Sequence, residues 1–156
     1  MSRSIDRVAD AARAAGLVID IRRMGESTRT AEDAATQCGC DVAQIVKSLI
    51  FQGKDSANLY LFLVAGTNRL DAAKAAALAG ETLVRADPRY IRDRTGFAIG
   101  GVSPIGHLVD MPTFADRTLV AFPVVWAAAG AHDAVFSAEP TALLRAAKAV
   151  VADIAE

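Results

Sequence analysis

Two apolar runs, KSLIFQ at 47–52 and LYLFLVAG at 59–66, are separated by the turn-rich hexapeptide GKDSAN. Short β-prone runs split by Gly, Asp, Ser and Asn predict a β-hairpin over Lys47–Gly66. The hairpin is entered through Ile45-Val-Lys47-Ser-Leu-Ile-Phe51, an apolar stretch interrupted by one lysine. That charge has two outlets: the ammonium snorkels to water, or it is a fixed cation at a pocket mouth.

Around the hairpin, helical and strand patterns alternate. Helices are expected over Ile5–Ala15 with Ser4 as N-cap, and from the Thr30-Ala-Glu-Asp33 capping signature to Gln37. Others are expected just after Asp41, over Asp71–Ala79, over Pro88–Arg94, and from Pro140 nearly to the last residue. Met24–Arg29 reads as a loop. Strands are expected at LVIDIR (17–22), ETLVRA (81–86), Phe97–Gly106 (running into a Gly/Pro loop), HLVDM, TLVAFPVVWAAAG and HDAVFSA. The mixture predicts one α+β domain over residues 1–156, with a mostly antiparallel, barrel-like sheet and surrounding helices.

Composition narrows the function. With 156 residues, 53% hydrophobic and 22% charged, the chain can bury a core without disulfides or metal. Its net charge of −1 argues against coating long nucleic acid through bulk charge, so any nucleic-acid contact must be local. Cys38 and Cys40 in Cys-Gly-Cys are too close for an ordinary bridge and lack zinc-site spacing. With no secretory signal pattern and no apolar run near ~20 residues, a reduced, cytoplasmic location and no membrane span are expected.

Several stretches could carry chemistry. In Gly100-Gly-Val-Ser-Pro-Ile-Gly106 the glycines let the backbone approach a ligand and aim N–H groups at a carbonyl oxygen or anion, while Pro104 stiffens the loop. A sharp barrel corner would ask for the same residues. Neither a P-loop nor a dinucleotide-binding pattern is present. His107 follows the loop and Ser103 lies within it, but outside a G-x-S-x-G setting. His132 precedes Asp133. Arg85, Arg89, Arg92 and Arg94 form either a solvated face or a small phosphate-contacting patch. Both cysteines read as structural.

Thr28–Cys38, then Ile45–Phe51, then Thr95-Gly-Phe-Ala-Ile-Gly-Gly-Val-Ser-Pro-Ile-Gly106 stand in an order and spacing that resemble the YbaK / prolyl-tRNA synthetase-associated editing domain family. The likeness extends through the Asp116 segment, Ala127–Gly130 and Asp133. It implies a freestanding aminoacyl-tRNA deacylase that cleaves a small wrong amino acid (cysteine, alanine, serine, threonine or similar) from tRNA, often tRNA-Pro, with no cofactor or metal. The implied partners are the acceptor end of mischarged tRNA and a prolyl-tRNA synthetase, without DNA or membrane. Lys47, Gly101 and Ser103 take the catalytic positions, Lys47 near the terminal ribose or phosphate. Met24, Thr28, Ser48, Gly100, Val102, Pro104, Gly106, His107 and Asp133 take substrate-binding ones. The glycine-proline loop is expected to hold the aminoacyl group. Met24 and His107 depart from residues found in some relatives, which leaves the amino acid open.

Two other readings stand beside this one. A binding module of the same fold could dock on tRNA or a synthetase without hydrolysis. A small esterase could use Ser103 with His107.

Overall fold

The computed structural model describes residues 3–26, 28 and 30–156; Ser27 and Arg29, within the expected 24–29 loop, lie outside the described residues, as do Met1 and Ser2. In chain order the elements are α1 (Arg3–Ala14), β1 (Arg22–Arg23), α2 (Ala31–Cys38), β2 (Ile45–Gly53), β3 (Leu59–Ala65), α3 (Ala72–Ala79), β4 (Leu83–Arg85), α4 (Pro88–Thr95), β5 (Thr113–Asp116), β6 (Val125–Ala128), β7 (Ala134–Ala138), α5 (Pro140–Ala146) and β8 (Val150–Ala152).

The predicted hairpin is the centre of the molecule. β2 and β3 pair antiparallel from Val46↔Ala65 to Gln52↔Leu59. Every residue of β3 is buried, and alternate side chains feed two cores. Leu61, Leu63 and Ala65 face one with Val8, Phe97 and Phe136; Tyr60, Phe62 and Val64 face the other with Ala75 and Ile154. Each large apolar side chain buried this way contributes roughly 1.5–3 kcal/mol.

The sheet is mixed. Its order is β1-β7-β6-β2-β3-β5-β8, with β4 also on β2. β1/β7, β7/β6, β2/β3 and β2/β4 are antiparallel; β6/β2, β3/β5 and β5/β8 are parallel. On the side of β2 away from β3, β6 pairs with residues 45–46 and β4 with residues 51–53. Residues 47–50 therefore have no strand on that side, and alternate residues there turn N–H and C=O groups into a gap.

Several predicted elements are corrected. Of residues 17–22, only Arg22 enters a strand. Leu17, Ile19 and Ile21 pack on the core and Val18 is 94% exposed, so the alternation is real but has no partner strand. Ser4 is not a cap; it lies inside α1 and its hydroxyl donates to the Gly96 carbonyl (3.2 Å). The turn after Asp41 is a short 3-10 helix, Val42–Gln44. Phe97–Gly106 and 107–111 are not strands, because left-handed φ at Gly100 (97°) and Gly106 (88°) breaks extension. β5 falls on residues that were not read as a strand, and 117–121 form a 3-10 helix instead. The last helix stops at Ala146; Lys148 turns left-handed (φ 54°), and Val150–Ala152 join β5. Pairing of β-branched Val150 and Val151 overrides the helical spacing of the apolar residues.

Side-chain caps and left-handed glycines bound the helices, with Thr30 in the expected place. Thr30 accepts from the Asp33 N–H, Asp71 from Lys74 and Asp87 from Arg89. Gly39, Gly80 and Gly96 close their helices in the left-handed conformation. Among the described residues, no helix is long and apolar enough to cross a membrane.

Candidate active site

The gap beside β2 opens into a cavity of about 280 Å³. Its walls are mainly apolar: Ala31 and Ala34 of α2, Trp126, Ala127 and Ala128 of β6, Val46 of β2 and Val102 of the glycine-proline loop. Ile99, 59% exposed, stands at its rim. Among the described residues, Lys47 is the one charged side chain that lines it.

Lys47 occupies this place because β2 alternates. Lys47 lies opposite Val64, and Ser48 opposite Leu63, so the two side chains leave opposite faces beside the open edge. The ammonium donates to the Asn68 carbonyl in the turn after β3. Burial is the main influence on it and lowers its pKa from the usual lysine value; nearby Arg69 acts in the same sense, Glu32 and Asp116 oppose. Ser48 Oγ is buried beside the cavity with no hydrogen-bond partner among the described residues. Such an atom invites a polar group from outside.

The glycine-proline loop forms the opposite wall through Gly100 and Val102. The Gly101 N–H donates to the Ala98 carbonyl (3.0 Å). The N–H groups of Gly100 and Val102 donate to no protein group among the described residues. Ser103 is fully buried, and its hydroxyl accepts from the Ile105 N–H (3.2 Å). His107 Nε2 lies 2.7 Å from the Ser103 carbonyl oxygen, not its hydroxyl. No Ser–His dyad exists here, which removes the basis of the esterase reading.

The loop is braced from behind. Because a carbonyl only accepts, His107 Nε2 carries the proton. The ring meets Phe97 edge-on at 4.9 Å. Arg7 of α1 donates to the Gly96 and Gly106 carbonyls, and its guanidinium sits 5.1 Å from the Phe97 centroid. His107, Pro104 and Gly106 line a second, wider groove of about 540 Å³ on that rear side.

Burial pushes the His107 pKa down from 6.5 to about 4. Above about pH 6.5 both folded and unfolded chains carry it neutral; between about 4 and 6.5 only the unfolded chain takes the proton. Stability is therefore full above that window and falls as pH drops through it, by up to about 3 kcal/mol. His107→Gln, whose amide can still donate to the Ser103 carbonyl, is expected to flatten this slope. Urea midpoints from pH 4 to 7 check it; an unchanged slope in the variant would refute the assignment.

The remaining predicted residues divide. Thr28 reaches the cavity, but its N–H and hydroxyl both donate to the His132 carbonyl (2.6 and 2.7 Å), latching its loop to the turn before β7. The Met24 N–H donates to the Asp133 carbonyl (2.7 Å), and Arg23 grips the Asp133 carboxylate at 2.9 and 3.1 Å. Met24 and Asp133 do not line the cavity; they fasten its border. Arg85, Arg89, Arg92 and Arg94 are exposed and stand outside it. Cys38 and Cys40 are free thiols, and burial raises that of Cys38 to about 11, which keeps it protonated. Among the described residues, no group of three or more His, Cys, Asp or Glu side chains could hold a metal.

Sequence reasoning passed over Trp126 and Asn68. Trp126 lines the cavity with the Arg22 guanidinium 5.4 Å from its ring centroid. Its aromatic character inside a predicted strand was the available signal. Asn68 had none, because it acts through its backbone carbonyl.

Comparison with known proteins places these features. Residues 25–146 match the profile of the aminoacyl-tRNA editing domain. YwhH of Bacillus subtilis (strain 168), described as uncharacterized, is 30% identical over 124 residues, 80% of this chain and 78% of that protein. The proline–tRNA ligase of Thermosipho melanesiensis is 37% identical over 81 residues, 51% of this chain but 14% of the ligase. A solved structure described as a "putative trans-editing enzyme for prolyl tRNA synthetase" superposes with TM-score 0.92 at 46% identity, covering 100% of this chain and 99% of that one. Another, of a hypothetical protein, gives TM-score 0.87 at 30% identity over 96% of this chain and 99% of that one.

Proposed function

Because the chain belongs to the aminoacyl-tRNA editing domain family, we propose that it is a freestanding deacylase that removes a small, wrongly attached amino acid from tRNA, with tRNA-Pro as the first candidate. The observation that carries this reading is Lys47, one cation set in a small, alanine-walled cavity facing a glycine-proline loop. Likeness to a stretch of a proline–tRNA ligase supports the choice of tRNA.

The reaction asks little of the protein. Water adds to the ester carbon, and the carbonyl oxygen takes up the negative charge. The tetrahedral intermediate then collapses to the free amino acid and the ribose hydroxyl. The N–H groups of Gly100 and Val102 are available for the oxyanion. One Lys47 N–H is spent on Asn68, which leaves the others for the terminal ribose or phosphate. Ser48 Oγ can receive the α-ammonium or a side-chain hydroxyl. A neighbouring ribose hydroxyl can orient the attacking water. A cavity of about 280 Å³ suits a small side chain, the case in which a synthetase gains too little discrimination energy from binding alone.

The test is a panel of tRNA-Pro species charged with alanine, cysteine, serine, threonine or proline. Selective release of one or two small amino acids is expected, with prolyl-tRNA spared. Folded protein that binds the panel but hydrolyses none of it would make the chain a binding module.

A further inference from the structure

The reaction outlined above makes no use of Asp116, although its carboxylate is 1% exposed and three donors converge on it. Oδ2 accepts from the Ala65 N–H (3.1 Å) and from Asn68 Nδ2 (2.9 Å); Oδ1 accepts from the Thr118 N–H (2.9 Å). Asn68 Nδ2 also donates to Thr118 Oγ1 (3.1 Å), and the Asn68 N–H to the Ala65 carbonyl (2.8 Å). The Asn68 peptide is thus pinned on both sides, and its carbonyl receives the Lys47 ammonium.

We infer that Asn68 and Asp116 are positioning residues for Lys47: the buried carboxylate fixes the turn after β3, and the Asn68 carbonyl in that turn sets where the ammonium stands. The inference rests on the deacylase reading for its catalytic consequence, but not for its geometry. Burying a carboxylate is costly unless donors satisfy it, and tying β3 to β5 needs no charge. A lysine side chain is flexible, and holding it before substrate arrives removes that ordering cost from the reaction. Asp116 also stands close enough to favour the charged form of Lys47 against burial and Arg69.

Asn68→Ala keeps the backbone carbonyl and removes both anchoring side-chain bonds. Asp116→Asn keeps the shape and removes the charge. Lys47 acetylation by an N-hydroxysuccinimide ester, followed by peptide mass spectrometry over a pH series, reads the amine directly in the full chain. Asn68→Ala is expected to label Lys47 several-fold faster because the amine is no longer held, and Asp116→Asn to do so with the profile displaced to lower pH, because a charge that favours the ammonium is gone. Their kcat on mischarged tRNA is expected to fall by about tenfold or more, with KM nearly unchanged. Leu83→Ala, a half-buried change where β4 pairs with the far end of β2, is expected to lose stability and leave labelling and kcat alone.

Wild-type labelling of Lys47 in Asn68→Ala overturns the inference, whatever the activity. So does altered labelling with kcat unchanged. If Asp116→Asn does not fold, Asn68→Ala decides alone. If the wild type hydrolyses no aminoacyl-tRNA, the deacylase reading falls, and labelling still decides whether the two residues hold Lys47.

Discussion

Lys47→Ala is expected to lower kcat for deacylation by at least ~10²-fold while leaving the urea midpoint unchanged or slightly higher. The two halves of this result have one cause. The ammonium stands on the Asn68 carbonyl, where burial already disfavours its charge, so the folded state gains little from it. On the proposed deacylase reading it would meet the ribose–phosphate end of the substrate in the transition state, in a partly desolvated place where a fixed cation is worth more than in water. Lys47→Arg is expected to recover little, because a planar guanidinium cannot occupy the position of a compact ammonium above the Asn68 carbonyl. Single-turnover rates on the best substrate of the panel, beside urea curves, check both halves. Wild-type turnover in Lys47→Ala would remove the lysine from the chemistry altogether.

The legible parts of this site were those written in local pattern. The hairpin, the cap at Thr30 and the lysine inside an apolar run follow from period, turn composition and side-chain chemistry over a few residues. The Gly100–Gly106 loop was legible as a place of close backbone approach, although its flanks were read as strand. What escaped depends on pairing between distant segments. β5 and β8 are short, parallel to their neighbours and separated by more than thirty residues, so neither advertises its partner. Leu17–Ile21 alternate as a strand should, but find a core and no strand to bond. The gap beside β2 that makes the cavity arises from where β6 ends and β4 begins, which no stretch of sequence encodes by itself. His107 shows the limit in a single residue. Its position after the loop suggested substrate, whereas its ring reaches back to the Ser103 carbonyl and braces the loop from the rear.

Gly101→Ala tests whether that brace and the cavity share one geometry. The Gly101 backbone is not left-handed; the residue is glycine for want of space. A Cβ there would stand 2.9 Å from Ala131 N and Cα and 3.0 Å from its carbonyl carbon. Those are backbone atoms of the turn between β6 and β7, and they cannot rotate aside. The same turn receives Thr28 at the His132 carbonyl and Met24 at the Asp133 carbonyl, so moving it would loosen the cavity border as well. The loop must yield instead, carrying Gly100 and Val102 away from the place proposed for the ester. The expected cost is about 1–3 kcal/mol of stability, typical of overpacking. The expected loss of kcat is larger, about 10²-fold for a displacement near 1 Å of the groups that meet the oxyanion. Gly80→Ala separates the two effects. At φ 80° with open space around it, that substitution strains the end of α3 by about 1 kcal/mol and touches nothing in the site. Urea midpoints should fall in both variants, and turnover should fall in Gly101→Ala alone. Equal turnover in the two would mean that the loop backbone does not hold the reacting ester, and would leave Lys47 to act without an oxyanion partner from residues 100–102.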